Sequence, residues 1–248
     1  MKDTKIDWCD RTVNPVIGCK RGCPYCYAKR LNDRFHFIKD FAVPESKDSV
    51  FVQHYHGKIS IFFDSMSDID YWPDKDIKRF HDTMWHNSAY VSWIGLTKSP
   101  EAIKRFRSDE SEDLKVFLSS PDFDGSGLWL GYTLDGKAQL DKAVAIGKDF
   151  DADFLSIEPL ECDLAGYESM LDFPRWNHGK VKLAIIGAET GNRPGKVECK
   201  KEWVDGLVRL FDSCGVKVFM KSSLKKIMGS DFRQDKLPWP VSEKKGDA

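Results

Sequence analysis

The stretch "KISIFFDSMSDIDYWPDKDIKRFHDTMWH", residues 58–86, changes its periodicity in the middle. Ile59 to Phe63 form a short apolar run bounded by Asp64 and Ser65, which reads as a buried strand; from Pro73 onward Ile77, Phe80 and Met84 recur at helical spacing. A strand followed by a helix is the repeating unit of a parallel sheet, and the pattern returns along the chain. "YVSWIGLTKSP" (90–100) is a strand with Pro100 fit to open the next helix, "LWLGYTL" (128–134) precedes a helical "KAQLDKAVAIG", and "ADFLSIEPL" (152–160) is a further buried strand. "VKLAIIGAETG" (181–191) leads to a helix over 198–214 with Trp203, Leu207, Leu210 and Cys214 on one face, and "GVKVFMKSS" (215–223) supplies the last strand. With "TVNPVIG" (12–18) as the first strand, and "LKVFL" (114–118) as an extra or irregular element, the number of strands is roughly that of a complete or partial TIM-like (β/α) barrel. A doubly wound sheet is the alternative. The expected organisation is one α/β barrel domain over residues 1–235 and a loosely held tail over 236–248, where Pro238 and Pro240 precede "SEKKGDA".

Composition narrows the function classes. Apolar residues make up 41% and charged residues 31%, and no apolar run approaches the roughly 18 residues of a membrane span. No apolar stretch follows the charged start, so the expected location is the cytoplasm, with no membrane partner. The net charge of -1 is unevenly spread: residues 1–40 carry nine Lys/Arg against five Asp/Glu, residues 217–248 eight against four, and the middle is acidic, as in "SDESED" at 108–113. In chain order the aromatics do not interleave with a dense basic stripe, so a nucleic-acid substrate is permitted rather than indicated. There is no P-loop, nucleophile elbow, dinucleotide Gly-x-Gly-x-x-Gly or His-Glu-x-x-His.

In either architecture ligands sit at the carboxyl ends of the strands. That rule gathers the cysteine loop, Ser65, Ser67, Asp68, Thr97, Lys98, Glu158, Glu189 and Lys221 as one candidate mouth. Glu158 directly follows "FLSI" and Glu189 follows "IIGA"; a carboxylate after a buried strand needs a partner, either a lysine such as Lys98 or Lys221 or a ligand hydroxyl or amine. Gly187 would allow close backbone approach. The bland alternatives are a helix cap for Ser65, Ser67 or Asp68, simple ion pairing for the charges, and a surface turn for Asn192 and Arg193.

"CKRGCPYCYAKR", residues 19–30, carries three of the seven cysteines. Cys19, Cys23 and Cys26 suit a [4Fe-4S] cluster with one iron left open, or a zinc site completed by His36, Cys9 or a carboxylate. The Cys-x3-Cys-x-aromatic-Cys spacing, with Tyr25 as the aromatic, resembles the signature of the radical S-adenosylmethionine superfamily. The resemblance implies an enzyme in which Cys19, Cys23 and Cys26 hold the cluster and S-adenosyl-L-methionine occupies the open iron. It also implies cofactor contacts from among Tyr25, Ser65, Ser67, Asp68, Lys98, Glu158, Gly187, Glu189 and Lys221, and an electron donor such as flavodoxin or ferredoxin. "IDWCDRTVNPVIGC", "FFDSMSD", "GLTKSP", "LWLGYTLD", "DFLSIEPL", "AIIGAETG" and "CGVKVFMK" together resemble a phage-associated family of unknown function placed near that superfamily. Family membership would add a phage-encoded partner and a substrate such as a nucleotide or modified nucleic acid. The competing expectation is a non-catalytic binding or scaffold protein that keeps a cluster or zinc as a staple.

Overall fold

A computed structural model describes residues 4–89, 91–108, 111–119 and 126–242. Nine strands and nine α-helices appear among them. Strands β1 (Arg11–Thr12), β4 (Ile59–Phe62), β5 (Val91–Thr97), β6 (Gly127–Thr133), β7 (Phe154–Ile157), β8 (Leu183–Ile186) and β9 (Lys217–Met220) form one seven-stranded sheet in that spatial order. Each successive strand lies beside its predecessor and the pairings are parallel, as in Ile59 opposite Val91, Phe154 opposite Leu183 and Leu183 opposite Lys217. A doubly wound sheet reverses its order at a switch point; this one does not, and among the described residues its first and last strands do not pair. The fold is an open parallel sheet flanked by helices, a partial TIM-like (β/α) barrel.

The helices follow from local chemistry. α2 (Asp74–His86) starts after Pro73 with Asp74 and Asp76 in its first turn and His86 in its last, which suits the helix dipole. α3 (Pro100–Arg107) opens on the expected proline, and α5 (Lys137–Ile146) is capped by Gly147 at φ 56°, where a side chain would be strained. α8 (Lys201–Ser213) buries Val204, Leu207 and Phe211. Between them lie α4 (Glu112–Ser119), α6 (Glu168–Leu171) and α7 (Phe173–Asn177), and after the last strand comes α9 (Lys225–Met228).

Three local expectations change. "TVNPVIG" is not one strand: Thr12 ends β1, while Val16 and Ile17 form β2 and pair antiparallel with β3 (Glu45–Ser46). Pro15, which has no N–H for the ladder, stands between them. "LKVFL" lies inside helix α4 and is no strand. Within the expected tail, of which residues 243–248 lie outside the described residues, Trp239 is buried, donates its indole N–H to the Trp8 carbonyl at 2.7 Å and packs edge-on to Trp129.

The chain divides into two compact units that interleave in sequence. The first comprises residues 1–95, 105–129 and 237–248, the second residues 96–104 and 130–236. The first unit's core is aromatic: Phe63, Phe80, Phe106 and Trp93 are fully buried and Trp72 nearly so. In the second unit Tyr132, Phe150, Trp176, Phe173 and Phe211 form a chain of edge-on rings with centroids 5.0–5.6 Å apart. Among the described residues no helix is long and apolar enough to cross a membrane.

Candidate functional site

In the second unit the ends of successive parallel strands deliver charged side chains to one edge. Lys98 follows β5, Asp135 follows β6, Glu158 and Glu161 follow β7, Glu189 follows β8 and Lys221 follows β9. The ladder continues past the strand ends and fixes their backbones: Gly187 N donates to Ile157 O at 3.0 Å, Leu160 N to Gly187 O at 2.9 Å, and Lys221 N to Ile186 O at 2.8 Å.

Lys221 Nζ lies 2.5 Å from Glu158 Oε1, with 20% and 29% of the two side chains exposed. The pair passes over Gly187, where a Cβ would stand 3.0 Å from Lys221 Cδ and 3.2 Å from Glu158 Cδ. Glycine at 187 therefore makes room for the ion pair. Lys98 pairs with Asp135, both largely buried. Arg193 closes the group: its Nε and Nη2 each donate to Glu189 at 2.8 Å, and Nη2 also donates to Glu161 at 2.9 Å.

One guanidinium thus serves two carboxylates unequally. Glu189 receives two arms and is held below the ordinary carboxylate range, chiefly by those bonds. Glu161 is pushed above it, first by burial, with Arg193 opposing and Glu189 adding repulsion. Cys162, beside them, is also raised by burial and feels Asp163, Asp135 and Glu161, so the Asp135 pair and the Arg193 group lie in one electrostatic neighbourhood.

The signs separate the two glutamates. A lowered carboxyl pKa contributes stability that is present above the unfolded value near 4.5 and is lost as pH falls through the folded value. A raised one makes ionisation unfavourable to the fold, so stability falls as pH rises through the window above 4.5. Glu189→Gln is expected to destabilise the fold at neutral pH, because its side chain is 5% exposed and both its carboxylate oxygens accept from Arg193, and the cost should vanish in acid. Glu161→Gln should be neutral or slightly stabilising at neutral pH. Urea denaturation of both variants at neutral and acidic pH checks this; equal losses would show that the carboxylates are equivalent.

The cysteine loop, Ser65, Ser67 and Asp68 belong to the first unit, and Lys98, Glu158, Gly187, Glu189 and Lys221 to the second. In the first unit Asn14 ties down the segment after β4, with its Oδ1 accepting from Met66 N at 2.8 Å and Ser65 Oγ at 3.1 Å. Ser67 Oγ accepts from Trp72 Nε1 at 2.9 Å, and Asp68 caps a short 3-10 turn by accepting from Asp70 N at 3.0 Å. Arg21 donates to Asp68 at 3.2 Å and Asp70 at 3.0 Å and lies over the Tyr71 ring. Tyr25, in the loop, is half-buried.

The cluster reading is overturned. Among the described residues no group of three or more His, Cys, Asp or Glu side chains is placed to hold a metal ion. The physical reason lies in what the thiols do. Cys19 and Cys26 pack against Ala28, Ile38, Phe41 and Met66, and burial pushes the Cys19 thiol up to about 12. Cys26 caps helix α1 (Tyr27–Phe35), its Sγ accepting from Lys29 N at 3.4 Å, and the Cys23 carbonyl accepts from Cys26 N. Cys19, Cys23 and Cys26 are therefore not read as metal or catalytic residues. The radical S-adenosylmethionine assignment, the iron-sulfur enzyme, the [4Fe-4S] and S-adenosylmethionine cofactors and the zinc-staple alternative go with them, as does the need for an electron donor.

Sequence reasoning missed Glu161 and Asp135, and it preferred a surface turn for Arg193 over a ligand-facing role. Asp135 carries the same signal as Glu158, a charge just past a buried strand, in "LWLGYTLD". Arg193 gives no such signal, because a turn containing Pro194 accounts for it equally well in sequence.

Compared with known proteins, residues 3–227 match a family model described as Protein of unknown function (DUF5131). No curated protein and no solved structure matches the chain.

Proposed function

Because the chain belongs to the DUF5131 family, whose description assigns no activity, we propose from its own geometry that it binds a small nucleoside-type ligand at the strand ends of its second unit. The observation that carries this reading is the Lys221–Glu158 pair crossing over Gly187, largely removed from solvent yet still reachable from it. Ion pairs removed from water regain little net stability, so a cluster of them at the edge where parallel sheets take ligands is better explained by recognition than by folding.

Charge sets the class. Lys98, Lys221 and Arg193 face Glu158, Glu161, Glu189 and Asp135, so the group is mixed in sign with one excess negative charge. The carboxylates suit a sugar diol or an exocyclic amine, and a lysine released from its partner suits one phosphate. Added phosphates would meet the excess carboxylate. The expected order of affinity is nucleoside monophosphate above triphosphate.

Calorimetric titration of the intact protein with nucleosides, monophosphates and triphosphates tests the reading. A hydrogen bond to a charged group is worth about 1.5–3 kcal/mol, so Glu158→Gln should weaken a bound nucleoside roughly tenfold or more. No binding by any member of the series, or unchanged affinity in folded Glu158→Gln protein, would sink the proposal.

A further inference from the structure

The first unit presents an exposed surface that the strand-end site does not use. Helix α1 buries Ala28 and Asn32 on one face. Its opposite stripe carries Tyr27, Arg30 and Arg34, at spacings that put all three on one side of the helix, and all three are exposed. The stripe runs into a turn that displays Phe35 and Phe37, 52% and 46% exposed, with ring centroids 5.8 Å apart. Arg34 stacks over the Phe35 ring at 5.0 Å.

This turn is built rather than loose. His36 at its apex adopts a left-handed conformation with φ 52°, and its N–H donates to the Asn32 carbonyl at 2.7 Å. The buried Asn32 side chain then grips the far side twice, donating to Ile38 O at 3.1 Å and accepting from Ile38 N at 3.0 Å. Ile38 is 4% exposed and locks into the cluster with Ala28, Phe41 and Met66, and Lys47 donates to the Phe37 carbonyl at 3.3 Å. Two neighbouring phenylalanines are thereby held half out of the surface by a fixed scaffold, so binding to them would cost little ordering entropy.

We infer that this aromatic turn and its basic helix stripe form a binding surface for single-stranded nucleic acid. Charge decides the occupant. Of the six Lys/Arg in residues 20–40, Arg21 is held by Asp68 and Asp70 and Lys29 by Asp33, which leaves Lys20, Arg30, Arg34 and Lys39 against Asp40 in a chain whose net charge is -1, a balance that complements phosphate rather than an average protein surface. Exposed rings beside cations match unstacked bases on a backbone; a duplex keeps its bases stacked and offers the rings nothing. The interleaving of aromatic and basic side chains that is absent in chain order appears where Arg34 lies over the Phe35 ring, with Phe37 beside it and Tyr27 and Arg30 exposed on the same helix.

The test is fluorescence anisotropy of the full chain with a labelled thymidine oligonucleotide of about 20 residues and with a duplex of equal length, over a salt series. Single-stranded binding at least tenfold tighter than duplex binding is expected. The Phe35→Ala, Phe37→Ala double variant should weaken it roughly tenfold or more, and the tyrosine pair Phe35→Tyr, Phe37→Tyr should restore it. Arg30→Gln and Arg34→Gln should each lower the slope of log affinity against log salt by about one. Both phenylalanines are exposed, so unchanged melting curves serve as the folding control. Equal affinity for duplex and single strand, no measurable binding, or an alanine variant that binds as tightly as the parent would overturn the inference. So would self-association of the parent that the alanine variant abolishes, which would assign the surface to a second copy of the chain. The strand-end site lies in the other unit, so loss of nucleoside binding and loss of oligonucleotide binding are separately readable.

Discussion

Phe63→Ala is expected to remove about 3–5 kcal/mol of folding free energy, the usual loss for deleting a buried ring. Phe63 follows β4, is fully buried, and is fixed by its N–H donating to Ile94 O at 3.0 Å. Its ring stacks on Phe106 at 5.4 Å and meets Phe80 at 4.9 Å and Trp72 at 5.9 Å, so one deletion strips contacts from several rigid rings. Rigid aromatics collapse poorly into a void, which puts the cost toward the upper end. Val116, 73% exposed on α4, is the matched control, and Val116→Ala should stay within about 0.5 kcal/mol. Urea midpoints measure both. A loss of only about 1 kcal/mol at Phe63 would show that this ring group is not the core of the first unit.

The second large effect is chemical. With its pKa pushed up to about 12, Cys19 should be almost wholly protonated at pH 8. The thiolate is the reactive form, and a pKa of about 12 leaves on the order of one thiolate in ten thousand, against roughly a quarter for a free cysteine. Alkylation of Cys19 by iodoacetamide should therefore run about a thousandfold slower than that of a free thiol, and should accelerate when urea unfolds the chain. Peptide mass spectrometry after timed labelling reads this directly. Labelling of Cys19 at the rate of a free thiol in the folded protein would show that the apolar packing of the loop is wrong, and with it the reason for discarding a thiolate cluster.

The fold was legible where one local signal acted alone. Ile59–Phe62, Leu183–Ile186 and Lys217–Met220 are mostly apolar and too short for helices, and Pro100 and Gly147 mark the start of α3 and the end of α5. It was not legible where two signals competed. Pro15 splits an apolar run that looks continuous, and in 114–118 the Val and Phe that suit a strand lie in a helix, with Leu118 buried. Trp239 was hidden by its prolines, because the ring that buries it belongs to Trp8, at the other end of the chain.

The site was legible by position rather than by role. Glu158, Glu189, Lys98 and Lys221 could be placed at strand ends because parallel strands share a carboxyl edge, but which charge pairs with which depends on side-chain reach. The cysteines show the converse. Cys19, Cys23 and Cys26 have the spacing of ligands, yet spacing along the chain says nothing about where each sulfur points, and two of the three sulfurs pack or cap.

Backbone-amide NMR of the intact protein, titrated with the tightest-binding nucleoside monophosphate, tests the central claim most directly. The account predicts shifts concentrated at Glu158–Cys162, Gly187–Arg193 and Lys221–Ser223, the segments that carry the Lys221–Glu158 and Arg193 groups. Saturating nucleotide that leaves those amides unmoved, or that moves only residues 33–39 in the other unit, would contradict it.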